Sequence, residues 1–180
     1  ELRGQGQSLQ AIADAVGTSK STSAPGAALS ATLTTPGSAD GVLVGGNLEM
    51  MARSVGVVPL DLAGAVLLLE VNKAAGLGMV DRALTQLRLS GTLDGVAAVA
   101  LGSIDQFAGF EDRGWTILDV LRDHLDALGV PVLGGLPLGH LDDLVTVPLG
   151  VPATLDTRAG ELRVRPLTAA ADPVPRNVST

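Results

Sequence analysis

GAVLLLE, residues 64–70, is the stretch that decides the fold. Residues 65–69 form an unbroken apolar run. The run is too short for a buried helix and lacks the alternation of a strand with one wet face, so residues 63–69 read as a strand buried on both sides. A single carboxylate, Glu70, closes it. Runs of the same kind recur at residues 41–44, 96–101 and 131–133, with shorter candidates near Val145, Ala153 and Leu162. Between them lie segments of helical period. One follows Asn47. A second covers residues 79–89, with Val80, Ala83, Leu84 and Leu87 facing inward and Ser90-Gly91 as its stop. A third covers residues 115–128, where Ile117, Leu118, Leu121, Leu125 and Leu128 share a stripe opposite Asp119, Arg122, Asp123 and Asp126. Buried strands alternating with amphipathic helices predict an α/β domain whose mainly parallel or mixed sheet is covered by helices.

The composition excludes several classes of function. A net charge of -7 without any cluster of Lys or Arg opposes nucleic-acid binding, which needs a concentrated positive field. The absence of Cys removes disulfides, thiolate metal sites and thiol nucleophiles, and two histidines, His124 and His140, are too few for a histidine-rich metal centre. No apolar stretch approaches the roughly 20 residues that span a bilayer. The chain starts at Glu1 without a signal-peptide pattern and reads as a processed or truncated end of an acidic, cytoplasmic protein. No metal or organic cofactor is expected.

Four segments are expected along the chain. Residues 1–16 carry helical spacing at Leu9, Ile12, Ala13 and Val16 and read as the end of a preceding domain. Residues 17–40 are rich in Gly, Pro, Ser, Thr and Ala without periodicity and read as a linker or a large surface loop. Residues 41–168 form the α/β domain, and residues 169–180 a flexible tail.

Three side chains stand where an α/β sheet binds ligands, at the carboxyl ends of strands. Asn47 follows Gly45-Gly46 and opens a helix, so it either caps that helix or meets a ligand that the glycines let approach. Glu70 ends its strand and is either a site carboxylate or a residue returning to solvent. His140, beside Gly139 in a loop that reads as flexible and uncrowded, is either a proton carrier or an exposed loop histidine. His124 lies within a regular helix and reads as a surface or boundary residue. Gly76-Leu77-Gly78 fails the dinucleotide-binding fingerprint because Asp81 occupies the third glycine position. Asp81-Arg82 is expected to serve structure, through an ion pair or by placing an acid near the helix start.

The motifs GVLVGGNL (41–48), GAVLLLE (64–70), DRALTQL (81–87) and GLPLGH (135–140), followed by VPLG (147–150) and ATLD (153–156), occur in one order. In that order they resemble the C-terminal domain of LD-carboxypeptidases, which include muramoyltetrapeptide carboxypeptidases and microcin-immunity peptidases. The resemblance covers roughly residues 41–165. It implies a two-domain serine enzyme in which Glu70 is the triad acid and His140 the general base, with Gly46 and Asn47 lining the substrate groove. The serine belongs to an N-terminal half that this chain does not match. Two departures bear on substrate preference: Val71 stands where an acidic residue often follows the triad acid, and Gly76-Leu77-Gly78 replaces a more aromatic stretch.

The reaction implied by the resemblance is cleavage of an L,D peptide bond, releasing a terminal D-amino acid from murein tetrapeptide during cell-wall recycling. The implied partners are the serine-bearing half, intact or cleaved from the same gene product, and a second copy in a homodimer. Two other readings stay open: a non-catalytic α/β domain that holds a peptide, and a nucleotide-binding domain argued from fold analogy alone.

Overall fold

The computed structural model describes residues 7–8, 29–139 and 145–165. Its strands are β1 (Gln7–Ser8), β2 (Ser38–Asn47), β3 (Val66–Glu70), β4 (Ala98–Leu101), β5 (Glu111–Asp112), β6 (Trp115–Thr116), β7 (Val132–Leu133), β8 (Pro152–Asp156) and β9 (Glu161–Val164). The helices are α1 (Leu48–Ser54), α2 (Gly76–Leu89) and α3 (Ile117–Leu125). The main sheet runs β1-β9-β8-β2-β3-β4-β7, and β5 and β6 form a separate hairpin. Strands β2, β3, β4 and β7 are mutually parallel, whereas β8, β9 and β1 add antiparallel to β2. The sheet is therefore mixed, its parallel half built from three strand-helix-strand units as the alternating pattern predicts.

Strand β3 shows why its sequence is apolar at every position. Leu67 and Leu69 join one core cluster with Val99, Leu101 and Val132 and with residues of all three helices, such as Met51, Leu84 and Leu121. Val66 and Leu68 join a second cluster, with Ala98, Ala100 and Leu133 and with Leu136, Leu138, Leu155 and Leu162 from the carboxyl-terminal part of the chain. These three helices thus cover one face, and the loop after β7 together with β8 and β9 covers the other. A fully buried Leu contributes about 1.5–3 kcal/mol on either face, so a one-residue slip of β3 would cost little hydrophobic energy. The register needs another determinant. Gly45, paired with Leu68, supplies one: a Cβ there would lie 1.9 Å from the Leu68 carbonyl oxygen, and its φ of +140° suits glycine alone. Only this alignment tucks the glycine against β3 and sends Asn47 and Glu70 out together at the strand ends.

The helices follow their sequence periods. On α2, Leu77, Val80, Ala83, Leu84 and Leu87 are buried. The helix starts at Gly76, three residues before the periodic pattern signals it, so Gly76-Leu77-Gly78 belongs to its first turn rather than to a phosphate loop. On α3, a reciprocal capping box of Thr116 and Asp119 sets the start, while Trp115 and Thr116 pair in β6 rather than extending the helix. The expected helix to residue 128 ends as a 3-10 turn, Asp126–Leu128.

Several expectations require correction. Of the stretch expected as a linker or a large surface loop, residues 29–40 are described: Ser30 and Leu33 are buried, and residues 38–40 already belong to β2, so the sheet starts earlier than residue 41. Its hydroxyls satisfy the edge strand β7. Thr35 forms an isolated antiparallel bridge with Val132, the Thr35 hydroxyl accepts from Val132 N at 2.9 Å, and the hydroxyls of Thr34 and Ser30 accept from Gly134 N and Gly135 N. A Ser/Thr-rich segment thus covers an edge that would otherwise present unpaired backbone groups. No strand forms at Val145, whose backbone N–H instead donates to the Pro137 carbonyl. His124 is not a surface residue but 3% exposed, between Asp81 and Arg88. The helix expected around residues 9–16, the tail at 169–180 and His140 lie outside the described residues.

Candidate active site

Four chain segments meet at the carboxyl edge of the parallel strands. Asn47 ends β2 and Glu70 ends β3, and the two are register partners. Both are half-buried. The Asn47 amide has two engagements: its oxygen accepts from Glu49 N at 3.1 Å and Met50 N at 3.2 Å, capping α1, and its nitrogen donates to Glu70 Oε1 at 3.3 Å. The reading of Asn47 as a helix cap is therefore realised, and the nitrogen of the same amide reaches Glu70. Gly46 is half-buried with φ +145°, and a Cβ there would meet nothing within 4 Å, so its α-carbon borders open space beside Asn47. Asn47 also lines a small cleft with Leu48, Glu49, Asn72, Met79 and Ala83.

The segments after β4 and β7 complete the edge. Gly102 N donates to Leu69 O at 2.9 Å, tying the end of β4 to the end of β3, and Ser103 N donates to Leu138 O at 2.7 Å, tying it to the loop after β7. Gly139, the next residue of that loop, lies against Glu70: a Cβ on it would fall 2.7 Å from Glu70 Cγ and 3.7 Å from Ser103 N. The loop expected to be uncrowded is thus closely packed where it passes the carboxylate. His140, the next residue in the sequence, is outside the described residues.

Ser103, buried at 3% exposure, is the residue of this edge that sequence reasoning passes over. The rule that singles out Glu70 would find it, since it is the first residue with a polar side chain beyond β4. A larger groove of about 350 Å3 lies away from the strand ends, lined by Leu77, Asp81, Asp112, Arg113, Trp115 and Asp123. Among the described residues no helix is long and apolar enough to cross a membrane, and no three His, Asp or Glu side chains are grouped to hold a metal ion.

Residues 40–155, which include all four segments of this edge, match the family model of the LD-carboxypeptidase C-terminal domain. The chain belongs to that family. A Streptomyces coelicolor protein provisionally named a carboxypeptidase is 41% identical over 130 residues, covering 71% of this chain and 40% of the relative. The microcin C7 self-immunity protein MccF of Escherichia coli is 32% identical over 124 residues, covering 67% and 35%. Among solved structures, muramoyltetrapeptide carboxypeptidase from Oxalobacter formigenes superposes with a TM-score of 0.58 at 31% identity, over 73% of this chain and 45% of that one. MccF in complex with glutamyl sulfamoyl guanosine superposes with a TM-score of 0.60 at 28% identity, over 74% and 40%. This LD-carboxypeptidase C-terminal domain spans about two fifths of the length of the curated relatives it matches first.

Proposed function

We propose that this domain supplies the acid and the base of a serine-type LD-carboxypeptidase that releases a terminal D-amino acid from murein tetrapeptide, with Glu70 and His140 in those roles. The observation that carries the reading is the contact between Gly139 and Glu70, which brings the backbone just before the histidine against a carboxylate at a strand end. Asn47, whose amide reaches the same carboxylate, fits a site residue. A solved MccF variant described as an active-site mutant replaces a serine, an asparagine and a lysine by alanine, which supports an asparagine in such a site. The substrate class is supported by the Oxalobacter formigenes structure and by a Bacillus subtilis relative provisionally named a murein peptide carboxypeptidase, 30% identical over 124 residues.

In this mechanism His140 takes the proton of a serine hydroxyl supplied by the N-terminal half, and the serine oxygen attacks the carbonyl of the L,D bond. Glu70 orients the imidazole and stabilises its cation. Backbone N–H groups of the other half hold the oxyanion. His140 then protonates the departing amine of the D-amino acid, and water, deprotonated by the same imidazole, hydrolyses the acyl-serine. A second substrate class, acyl sulfamoyl nucleosides, is suggested by the molecules bound to MccF.

The test uses the full-length gene product. Glu70→Ala and His140→Ala should each lower release of the D-amino acid by about 10³- to 10⁴-fold while melting changes little. A fluorophosphonate probe should label a serine outside these 180 residues. Near-normal turnover in either variant, or an adduct within this chain, would refute the assignment. Assaying an acyl sulfamoyl nucleoside beside the tetrapeptide decides between the substrate classes.

A further inference from the structure

The geometry points to Asn47 as a positioning residue that fixes the carboxylate of Glu70. This inference rests on the catalytic reading of Glu70 and adds a role for Asn47 distinct from lining the substrate groove.

The argument starts with the amide's orientation. Oδ1 accepts from two backbone N–H groups of α1, those of Glu49 and Met50. An amide nitrogen cannot accept, so these two donors fix which end of the side chain is oxygen. The nitrogen is then forced to the opposite side, where Glu70 Oε1 lies at 3.3 Å. Neither residue chooses this contact independently. The parallel register pairs Asn47 with Glu70 directly, Gly45 holds that register, and the cap holds the amide. The carboxylate is therefore tied to the start of α1 through one planar group with a single orientation. A carboxylate that must orient an imidazole benefits from this arrangement, because a hydrogen bond to Oε1 restricts rotation about its terminal torsion, which is otherwise broad. A misplacement on the order of 1 Å at such a group is enough to cost about 100-fold in rate.

Capping and positioning use different atoms, so they can be separated. Asn47→Asp retains a side-chain acceptor for Glu49 N and Met50 N, since Asp caps helices as well as Asn, but it replaces the donor by a second carboxylate. Asn47→Ser also retains an acceptor and lacks the amide nitrogen, without adding charge. In the full-length protein, with release of the terminal D-amino acid from murein tetrapeptide as the assay, both variants should melt close to the wild type. Both should lose about 10- to 100-fold in kcat with KM within about threefold. In a Glu70→Ala background, Asn47→Asp should change the residual rate by less than about twofold, because the group it acts through is gone.

A rise in KM with kcat intact would overturn the inference in favour of a substrate contact. So would the same fold-loss in the Glu70→Ala background, or normal kcat in Asn47→Ser. Failure of both variants to fold would show that the cap depends on the amide as a whole, which contradicts the separation of roles. Wild-type turnover in Glu70→Ala alone would instead remove the catalytic reading of Glu70, and the inference with it.

Discussion

A Cβ placed on Gly139 would stand 2.7 Å from Glu70 Cγ, so the loop after β7 can pass the carboxylate only as glycine. The backbone adds its own requirement, because φ is +104° at this position. Gly139→Ala must therefore displace Glu70, the loop, or both. On the proposed carboxypeptidase reading, this substitution in the full-length protein should lower kcat for D-amino acid release by about 100-fold, the cost of a misplacement near 1 Å, with a smaller effect on melting. Wild-type turnover in Gly139→Ala would show that the loop does not set the site.

The core of the domain is legible in the sequence because it depends on short-range pattern. The apolar runs ending at Glu70 and at Leu101 become β3 and β4, and the 3.6-residue period over Val80, Ala83, Leu84 and Leu87 becomes the buried face of α2. Asn47 as a cap is legible for the same reason, since its partners are two and three residues away. Its bond to Glu70 is not, because it depends on the register of two strands and joins residues 23 apart. His124 is misread because one buried polar position on an otherwise amphipathic helix looks like its charged neighbours until Asp81 and Arg88, on another helix, are brought to it. The partners of the residues before β2 are not legible either, because Ser and Thr signal loops by composition, whereas the hydroxyls of Ser30, Thr34 and Thr35 serve a strand edge 97 to 105 residues away.

That edge makes a stability prediction. The Thr35 hydroxyl donates to Val130 O at 3.3 Å and accepts from Val132 N at 2.9 Å. Thr35→Val keeps the side-chain shape and removes both bonds, leaving the Val132 N–H without its partner. Unfolding in urea should show a loss of about 1–3 kcal/mol, the cost of an unsatisfied buried backbone group. A loss below about 0.5 kcal/mol, the range of ordinary surface changes, would mean that the edge is held by other contacts.

Helices α2 and α3 are clamped through one imidazole. His124 Nε2 lies 2.9 Å from Asp81 Oδ1, and its Nδ1 lies 3.2 Å from an Arg88 guanidinium nitrogen. Arginine can only donate, so Nδ1 accepts and the ring's N–H is on Nε2, directed at Asp81. His124→Leu would fill much of the space but leave neither bond, while Asp81→Ala would remove a partner that is 55% exposed. His124→Leu should therefore be the more destabilising, by about 1–3 kcal/mol, and Asp81→Ala should cost less than about 1 kcal/mol. Urea midpoints of the two variants check the order. Catalysis should be unaffected in both, because the clamp lies on the helix layer and not at the strand ends.

The start of α3 should respond to acid. Thr116 donates to Asp119 Oδ2 from its hydroxyl at 2.6 Å and from its backbone N–H at 2.8 Å, and Asp119 N donates back to the hydroxyl at 3.3 Å. Those two donors, the hydroxyl first, hold the Asp119 carboxyl below its usual value of 3.8, and the Arg122 guanidinium one turn along acts in the same direction. A depressed folded-state value means that the unfolded chain binds more protons at acidic pH, so stability rises with pH through this range. The contribution of Asp119 is complete above about pH 5 and disappears as pH falls below 3.8 and through the lower folded value. Asp119→Ala should accordingly be less stable than the wild type at neutral pH, with the gap closing as the medium is acidified toward pH 2. Thr116→Val, which removes the hydroxyl and keeps the carboxylate, should narrow that acid dependence without abolishing it, because the backbone donor remains. Melting temperatures of the three proteins at half-unit steps of pH test this. A gap between wild type and Asp119→Ala that stays constant from pH 6 to pH 2 would show that the capping box acts without its charge.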